Sequence, residues 1–169
     1  MTISTTHSNW TRLLFVRALE SLVAELRLYP DDATIWQTTP GILNPAGTIA
    51  LHLCGNLQHF VGAILGGTGY VRARDLEFSQ RDIPRAALIA EIEKTIEVVN
   101  QVMSELPDSA LLVQYPDVLG GMHITCGLWL QHLSVHAGYH LGQVGYLRRM
   151  LTSSTDSIEA LGMKVLDGH

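Results

Sequence analysis

Charged residues, cysteines and long apolar runs are all scarce in this sequence, and each shortage narrows the class of protein. Charged residues make up 16% of the 169 residues, below the usual quarter, and the net charge is −5. A general basic field that would attract nucleic acid is missing, so we expect no nucleic-acid partner. The two cysteines, Cys54 and Cys126, form no metal-binding motif. Buried free thiols in a reducing compartment are the favoured interpretation, with a disulfide as the alternative.

No stretch of about 18 uninterrupted apolar residues is present, so we expect no membrane span. The nearest candidate, Ile49 to Leu65, is interrupted by His52, Asn56, Gln58 and His59. The opening MTISTTHSNW lacks the basic and apolar regions of a signal peptide, so we expect a cytoplasmic protein. The sequence also contains no Ser-His-Asp order, no glycine-rich phosphate loop and no paired-carboxylate signature.

Four segments carry the apolar periodicity of helices, and no sheet pattern accompanies them. Their bounds are about Ser8 to Tyr29, Asn44 to Leu65, Asp82 to Leu106 and Thr125 to Leu151. The stretch from 107 to 121 contains β-formers and predicts a short extended piece. The pattern predicts an all-α fold, an antiparallel four-helix bundle, in a single domain over residues 1–169.

A charged stretch, GTGYVRARDLEFSQRD, follows the second helical segment and predicts a long surface loop. Solvated surface is the favoured interpretation of its charges, and recognition of an anionic substrate or a small thiol is the alternative. The charged residues concerned are Arg72, Arg74, Asp75, Glu77, Arg81 and Asp82.

Three histidines in the fourth segment, His132, His136 and His140, stand four residues apart. This spacing puts them on one helical face, where two imidazoles can hold one metal ion. A chain with eight histidines contains roughly 0.4 such pairs by chance, so one pair is a weak signal and three in register a stronger one. The alternative is that these histidines bind no metal and lie at the polar edge of the core or in solvent.

The second segment presents His52, Asn56 and His59 on one face, with three glycines close to that face. Small residues beside a histidine leave room for an ion, a water or a substrate, whereas a solvent-facing stripe is the alternative. The glycines are Gly55, Gly62 and Gly66.

These motifs resemble the DinB-like (YfiT-like) superfamily of metal-binding four-helix bundles. The resemblance rests on the Trp36 loop, on NPAGTIALHLCGN with His52, and on HLSVHAGYHLGQ with His136 and His140 before a Gly-Gln step. It implies a divalent metal bound by those three histidines. Many members carry Arg where this chain has Leu141, so no role tied to that Arg is carried over.

Three neutral imidazoles suit Zn, Ni, Fe or Co and leave a coordination position open. The resemblance implies a metal-dependent enzyme, either a thiol S-transferase using a low-molecular-weight thiol or a small-substrate hydrolase. A non-catalytic metal-binding or stress-response helical dimer is the alternative. Gln143 is interpreted as orienting a ligand or as a plain edge residue. His59 or His132 would serve as acid or base if it lined the pocket without binding metal.

Small residues occupy the other face of the fourth segment and indicate close approach of a helix. The approaching helix belongs either to the same bundle or to a second copy of the chain across a dimer interface. The resemblance implies a homodimer. The residues are Gly127, Ser134, Gly138, Gly142 and Gly145.

Overall fold

A computed structural model of the protein describes residues 6–118, 120–160 and 162. Over this part of the chain the fold is all-α, as predicted, and no residue lies in a β-strand. One isolated antiparallel bridge joins Gln114 to Thr125, which gives the extended piece expected after the third long helix. The helices are α1 (Thr6–Arg27), α2 (Asp32–Ile35), α3 (Ala46–Leu57), a π-helix (Gln58–Leu65), α4 (Arg74–Ser79), α5 (Arg85–Glu105), a 3₁₀ helix (Asp108–Leu112) and α6 (Cys126–Thr152).

Four long helical segments enclose one hydrophobic core. Helix α1 packs against α5 and α6, and α3 packs against the same two helices. Phe15, Leu53, Ile92 and Leu133, one from each segment, are all at most 2% exposed. The predicted extent of a single domain stays a prediction.

Local chemistry fixes the ends of two helices close to the predicted positions. Thr125 caps α6 by accepting a hydrogen bond from the backbone N–H of Leu128. Ser153, with φ 54°, ends α6 in the left-handed conformation. Pro45 occupies the cap position of α3, one residue after the predicted start of this segment at Asn44.

The second segment differs from a regular helix because α3 continues as an eight-residue π-helix from Gln58 to Leu65. Within the described residues, Ala46–Leu65 is long and apolar enough to cross a membrane by length and composition alone. However, 67% of that window is buried inside the protein, as in the core helix of a soluble protein. The two cysteines, Cys54 and Cys126, are buried free thiols as expected.

The charged stretch after this segment is not simply a surface loop. It contains α4, which packs against α3. Glu77 in α4 is only 6% exposed, so the interpretation as solvated surface is wrong for this residue. Gly55 on α3 makes the burial possible, because a Cβ there would collide with the Glu77 carboxylate.

A buried ion pair joins α1 to α6 at the other side of the core. Arg148 Nε donates to Glu25 Oε2 at 2.6 Å, and the two side chains are 0% and 4% exposed. Tyr29, just beyond α1, donates its hydroxyl to the carbonyl of Val144 at 3.2 Å. These contacts fix how α1 sits against the helix that carries the histidine row.

Candidate metal centre

Three imidazoles from α3 and α6 meet at one point. The Nε2 atom of His136 lies 3.2 Å from Nε2 of His52 and 3.1 Å from Nε2 of His140. One ring nitrogen of each histidine lies within 4.8 Å of the others, and this group of three can hold an ion. Ligand nitrogens at 2.0–2.1 Å from a single ion stand roughly 3.0–3.4 Å apart, which matches the two short spacings. That the three bind a metal stays a prediction.

Glu77 contacts His52 at the ring edge opposite the converging Nε2 atoms. Its Oε2 lies 2.9 Å from His52 Nδ1, on the ring edge away from the other imidazoles. Arg72 binds the same carboxylate with two hydrogen bonds, Nε to Oε1 at 2.7 Å and Nη2 to Oε2 at 2.9 Å. Burial would raise the pKa of Glu77, but hydrogen bonds from Arg72 and then His52 outweigh it and hold the pKa below its usual value. Glu77 is therefore an ionised acceptor for His52 Nδ1–H.

Gln143 holds His140 in the same way. Its Oε1 lies 2.7 Å from His140 Nδ1, one turn further along α6. This is the orienting contact that was one of two interpretations of Gln143. The third imidazole differs, because Nδ1 of His136 is buried and has no hydrogen-bond partner.

These partners decide which ring nitrogens carry protons. A carboxylate only accepts hydrogen bonds, so His52 Nδ1 bears the proton and its Nε2 presents a lone pair. His140 donates from Nδ1 to Gln143 Oε1, so its Nε2 also presents a lone pair. A proton on His136 Nε2 can form a hydrogen bond with only one of the two facing nitrogens, His52 Nε2 or His140 Nε2. A cation at the shared point satisfies all three nitrogens, so the donor set fits a divalent metal.

Burial and the neighbouring imidazoles keep two members of the cluster, His136 and His140, neutral. Burial first, then repulsion from His140 and His52, lowers the pKa of His136 to about 4. The pKa of His140 is also lowered, mainly by burial and only partly offset by the Gln143 hydrogen bond. At neutral pH both rings therefore offer lone pairs without having to release a proton.

The metal-free protein is expected to lose stability as the pH falls from about 6.5 towards 4. In this window the unfolded chain binds protons at position 136, whereas the folded chain, with its lowered pKa, does not. Urea unfolding at several pH values in excess chelator measures the effect. His136→Asn is expected to flatten the dependence, and Gln131→Asn, a change without a titratable group at an exposed position on the same helix, should leave it unchanged. An equal slope in parent and His136→Asn protein would contradict the assignment.

Two histidines that the sequence offered as alternatives lie outside the cluster. His132 is exposed and stacks on Trp129, with ring centroids 5.0 Å apart. His59 lies in the π-helix against Phe60, at 4.8 Å between ring centroids. The pKa of His59 is lowered, by burial first and then by Arg72. Neither residue belongs to the group of three whose nitrogens converge.

The three glycines near the His52 face do not leave open space. The Glu77 side chain fills the space beside Gly55. Val98 and Thr68 fill the space beside Gly62, and Val102 fills the space beside Gly66. The expectation that these glycines make room for an ion or substrate is therefore wrong. Their role is to let neighbouring side chains approach the helix closely.

The family of the chain follows from its sequence as a whole. The family described as a protein of unknown function (DUF1572) matches residues 5–162. The chain belongs to this family. No curated protein and no solved structure matches the DUF1572 chain. The family description names no activity, so the function has to be argued from the site.

Sequence reasoning missed the most important supporting residue of this DUF1572 protein. Glu77 stands among six charged residues of one stretch, and solvation was the favoured interpretation of all of them. The available signal was Gly55, three residues after His52 on the same helix, which makes room for a side chain from another element. A glycine beside a candidate ligand pointed to an incoming partner rather than to an empty space.

Proposed function

We propose that this chain is a divalent-metal-dependent enzyme of the DinB-like type, with His52, His136 and His140 as the ligands. The observation that carries the proposal is the convergence of three Nε2 atoms, two of which present lone pairs to one point. Zn, Ni, Fe and Co all suit a three-imidazole site. Among the described residues, the converging group holds three side chains and no fourth ligand. Structural zinc sites usually have four protein ligands, so an open position favours catalysis.

The protein side chains around the ion would have separate tasks. A divalent ion bound there would supply Lewis-acid activation of a thiol or of water. Glu77 and Gln143 hold the rings of His52 and His140 in one orientation and fix their protons on Nδ1. Arg72 keeps Glu77 ionised, so that His52 remains a strong donor to the metal.

Thiol S-transfer with a low-molecular-weight thiol is the leading reaction, and hydrolysis of a small substrate is the second. Both follow from the DinB-like resemblance together with the open position of the donor set. In S-transfer a carbon–sulfur bond forms, the leaving group departs with its electron pair, and the thiol proton passes to solvent. Leu141, where many relatives have Arg, excludes a step that depends on a guanidinium at that position.

Two assays decide between these reactions. The first follows the consumption of glutathione, mycothiol or bacillithiol in the presence of an added electrophile. The second follows the hydrolysis of a nitrophenyl ester. The metal-loaded protein is expected to turn over at least one of them. Chelator should abolish the turnover and added metal should restore it. Turnover that survives complete metal removal would contradict the proposal.

A non-catalytic metal-binding or stress-response protein is the second candidate. One observation favours it: Glu77, the carboxylate at the centre, is bound by both Arg72 and His52 and is not free to act as acid or base. Metal binding without turnover of any thiol or ester would select this candidate.

We also propose that the protein is a homodimer in the cytoplasm, formed through the exposed face of α6. Val135 and Tyr139 are 73% and 63% exposed on this face. A Cβ at Gly138 or Gly142 would meet nothing within 4 Å, so a second helix can approach closely there. Light scattering should give a dimer mass for the parent and a monomer mass for Val135→Glu. Val71→Glu, at an 86% exposed position elsewhere, should remain dimeric.

A further inference from the structure

A cavity of about 330 Å³ lies between the start of α3, the preceding loop and the end of α6. Its volume falls within the range of small-molecule sites. Ile49 and Leu147 form part of its wall, and Ile42, Tyr146 and Met150 lie at its more exposed side. The cavity is distinct from the three imidazoles, none of which lines it.

Two lining residues lie close to the histidines of the proposed centre. Gln143 lines the cavity and also lies 2.7 Å from His140 Nδ1 through its Oε1. Ile49 lines the cavity and stands three residues before His52, which puts both on neighbouring positions of one helix face. The cavity therefore begins about one helical turn, ~5 Å, from the ligands.

The residues that line the cavity favour an uncharged ligand. The lining contains no Asp, Glu, Lys, Arg or His, and its polar side chains are limited to two amides and the Tyr146 hydroxyl. An ionised group there would lose its hydration without gaining an opposite charge, whereas an aliphatic or aromatic group would gain by leaving water.

We propose that this cavity receives the apolar, uncharged tail of a small molecule whose polar head binds at the metal. The inference rests on the proposed metal centre and adds the substrate class. The substrate is a small molecule with a hydrogen-bonding head and a short aliphatic or aromatic body. An electrophile of this kind would keep its reactive carbon near the ion and its body between Ile49 and Leu147.

Alkyl hydroxamates of increasing length test the proposal, because the head binds metals and only the tail changes. Their dissociation constants are measured by absorption changes of the Co²⁺-loaded protein, from acetohydroxamate to octanohydroxamate. Each methylene that enters the cavity is expected to tighten binding by up to about fourfold. The gain should stop when the cavity is full.

A matched pair of variants locates the effect. Met150→Trp fills the cavity from its exposed side, and Met122→Trp makes the same change at a site that does not line it; the two methionines are 58% and 61% exposed. Met150→Trp should bind acetohydroxamate like the parent but lose the gain with chain length, and Met122→Trp should keep it. If Met150→Trp does not fold, Ile42→Trp fills the same cavity from the loop side.

The outcomes separate this inference from the metal centre. Failure of acetohydroxamate to bind the parent protein would overturn the centre and the cavity assignment together. Equal affinity for all chain lengths, or a gain that persists in the filled variant, would overturn the cavity assignment and leave the centre standing.

Discussion

Loss of the bound metal is the expected result of replacing His136 by alanine. His136 is the middle member of the converging histidines, since its Nε2 lies 3.2 Å from that of His52 and 3.1 Å from that of His140. Removing it leaves two imidazoles from different helices. Changing a residue that merely supports a ligand costs about 10–100-fold in metal affinity, so loss of the ligand itself should cost more than about 100-fold. Metal analysis after dialysis, on protein purified without a histidine tag, measures the effect.

His132→Ala is the matched control for this experiment. It removes an imidazole one turn earlier on the same helix, at an exposed position outside the converging group. Its metal content should equal that of the parent protein. The double variant His52→Ala, His136→Ala should be free of metal. If the metal content of the double variant matched the parent, the assigned ligands would be refuted.

Replacing Glu77 by glutamine is expected to weaken metal binding by about 10–100-fold while the three ligands remain. The amide keeps the shape of the side chain, but it no longer places a full negative charge against His52 Nδ1–H. The same change leaves Arg72, whose side chain is only 10% exposed, without its ionic partner. Loss of one partner from a buried pair costs about 3 kcal/mol of stability or more. Competition with a chromogenic chelator gives the affinity, and urea unfolding in excess chelator gives the stability.

Asp75→Asn separates the local effect from a change in net charge. Asp75 lies on the same short helix, is exposed, and loses the same charge. Both its metal affinity and its free energy of unfolding should stay close to those of the parent. Similar losses of affinity in the two variants would show that Glu77 acts only through long-range charge and does not orient His52.

The long helices and the pairing of His136 with His140 were predictable because they depend on local periodicity. Residues four apart on one helix stay on one face wherever that helix packs, so His136 and His140 could be paired from sequence alone. The predicted start of the fourth segment, about Thr125, is the residue that caps α6 in the structure. Bringing His52 to the pair needed the packing of α3 against α6, which the sequence indicated only through the polar face of the second segment and the DinB-like resemblance.

The contact that orients His52 was not predictable, because it joins parts of the chain that are distant in sequence. Glu77 meets His52 across 25 positions in sequence, and its stretch has the composition of an exposed loop. Burial of a charged residue is determined by its partners, here Arg72 and His52, and not by its own residue type. Gln143 was easier to foresee, since it stands three residues from His140 on a single helix.

The π-helix from Gln58 to Leu65 has a consequence for variation in chain length within this family. A π-turn closes over one more residue than an α-turn, so this segment can absorb an insertion or a deletion of a single amino acid by changing its winding. His52 precedes the segment, and the connection to Arg72 and Glu77 follows it. Homologues that are one residue shorter here should wind the segment as a regular α-helix and still retain their imidazole trio.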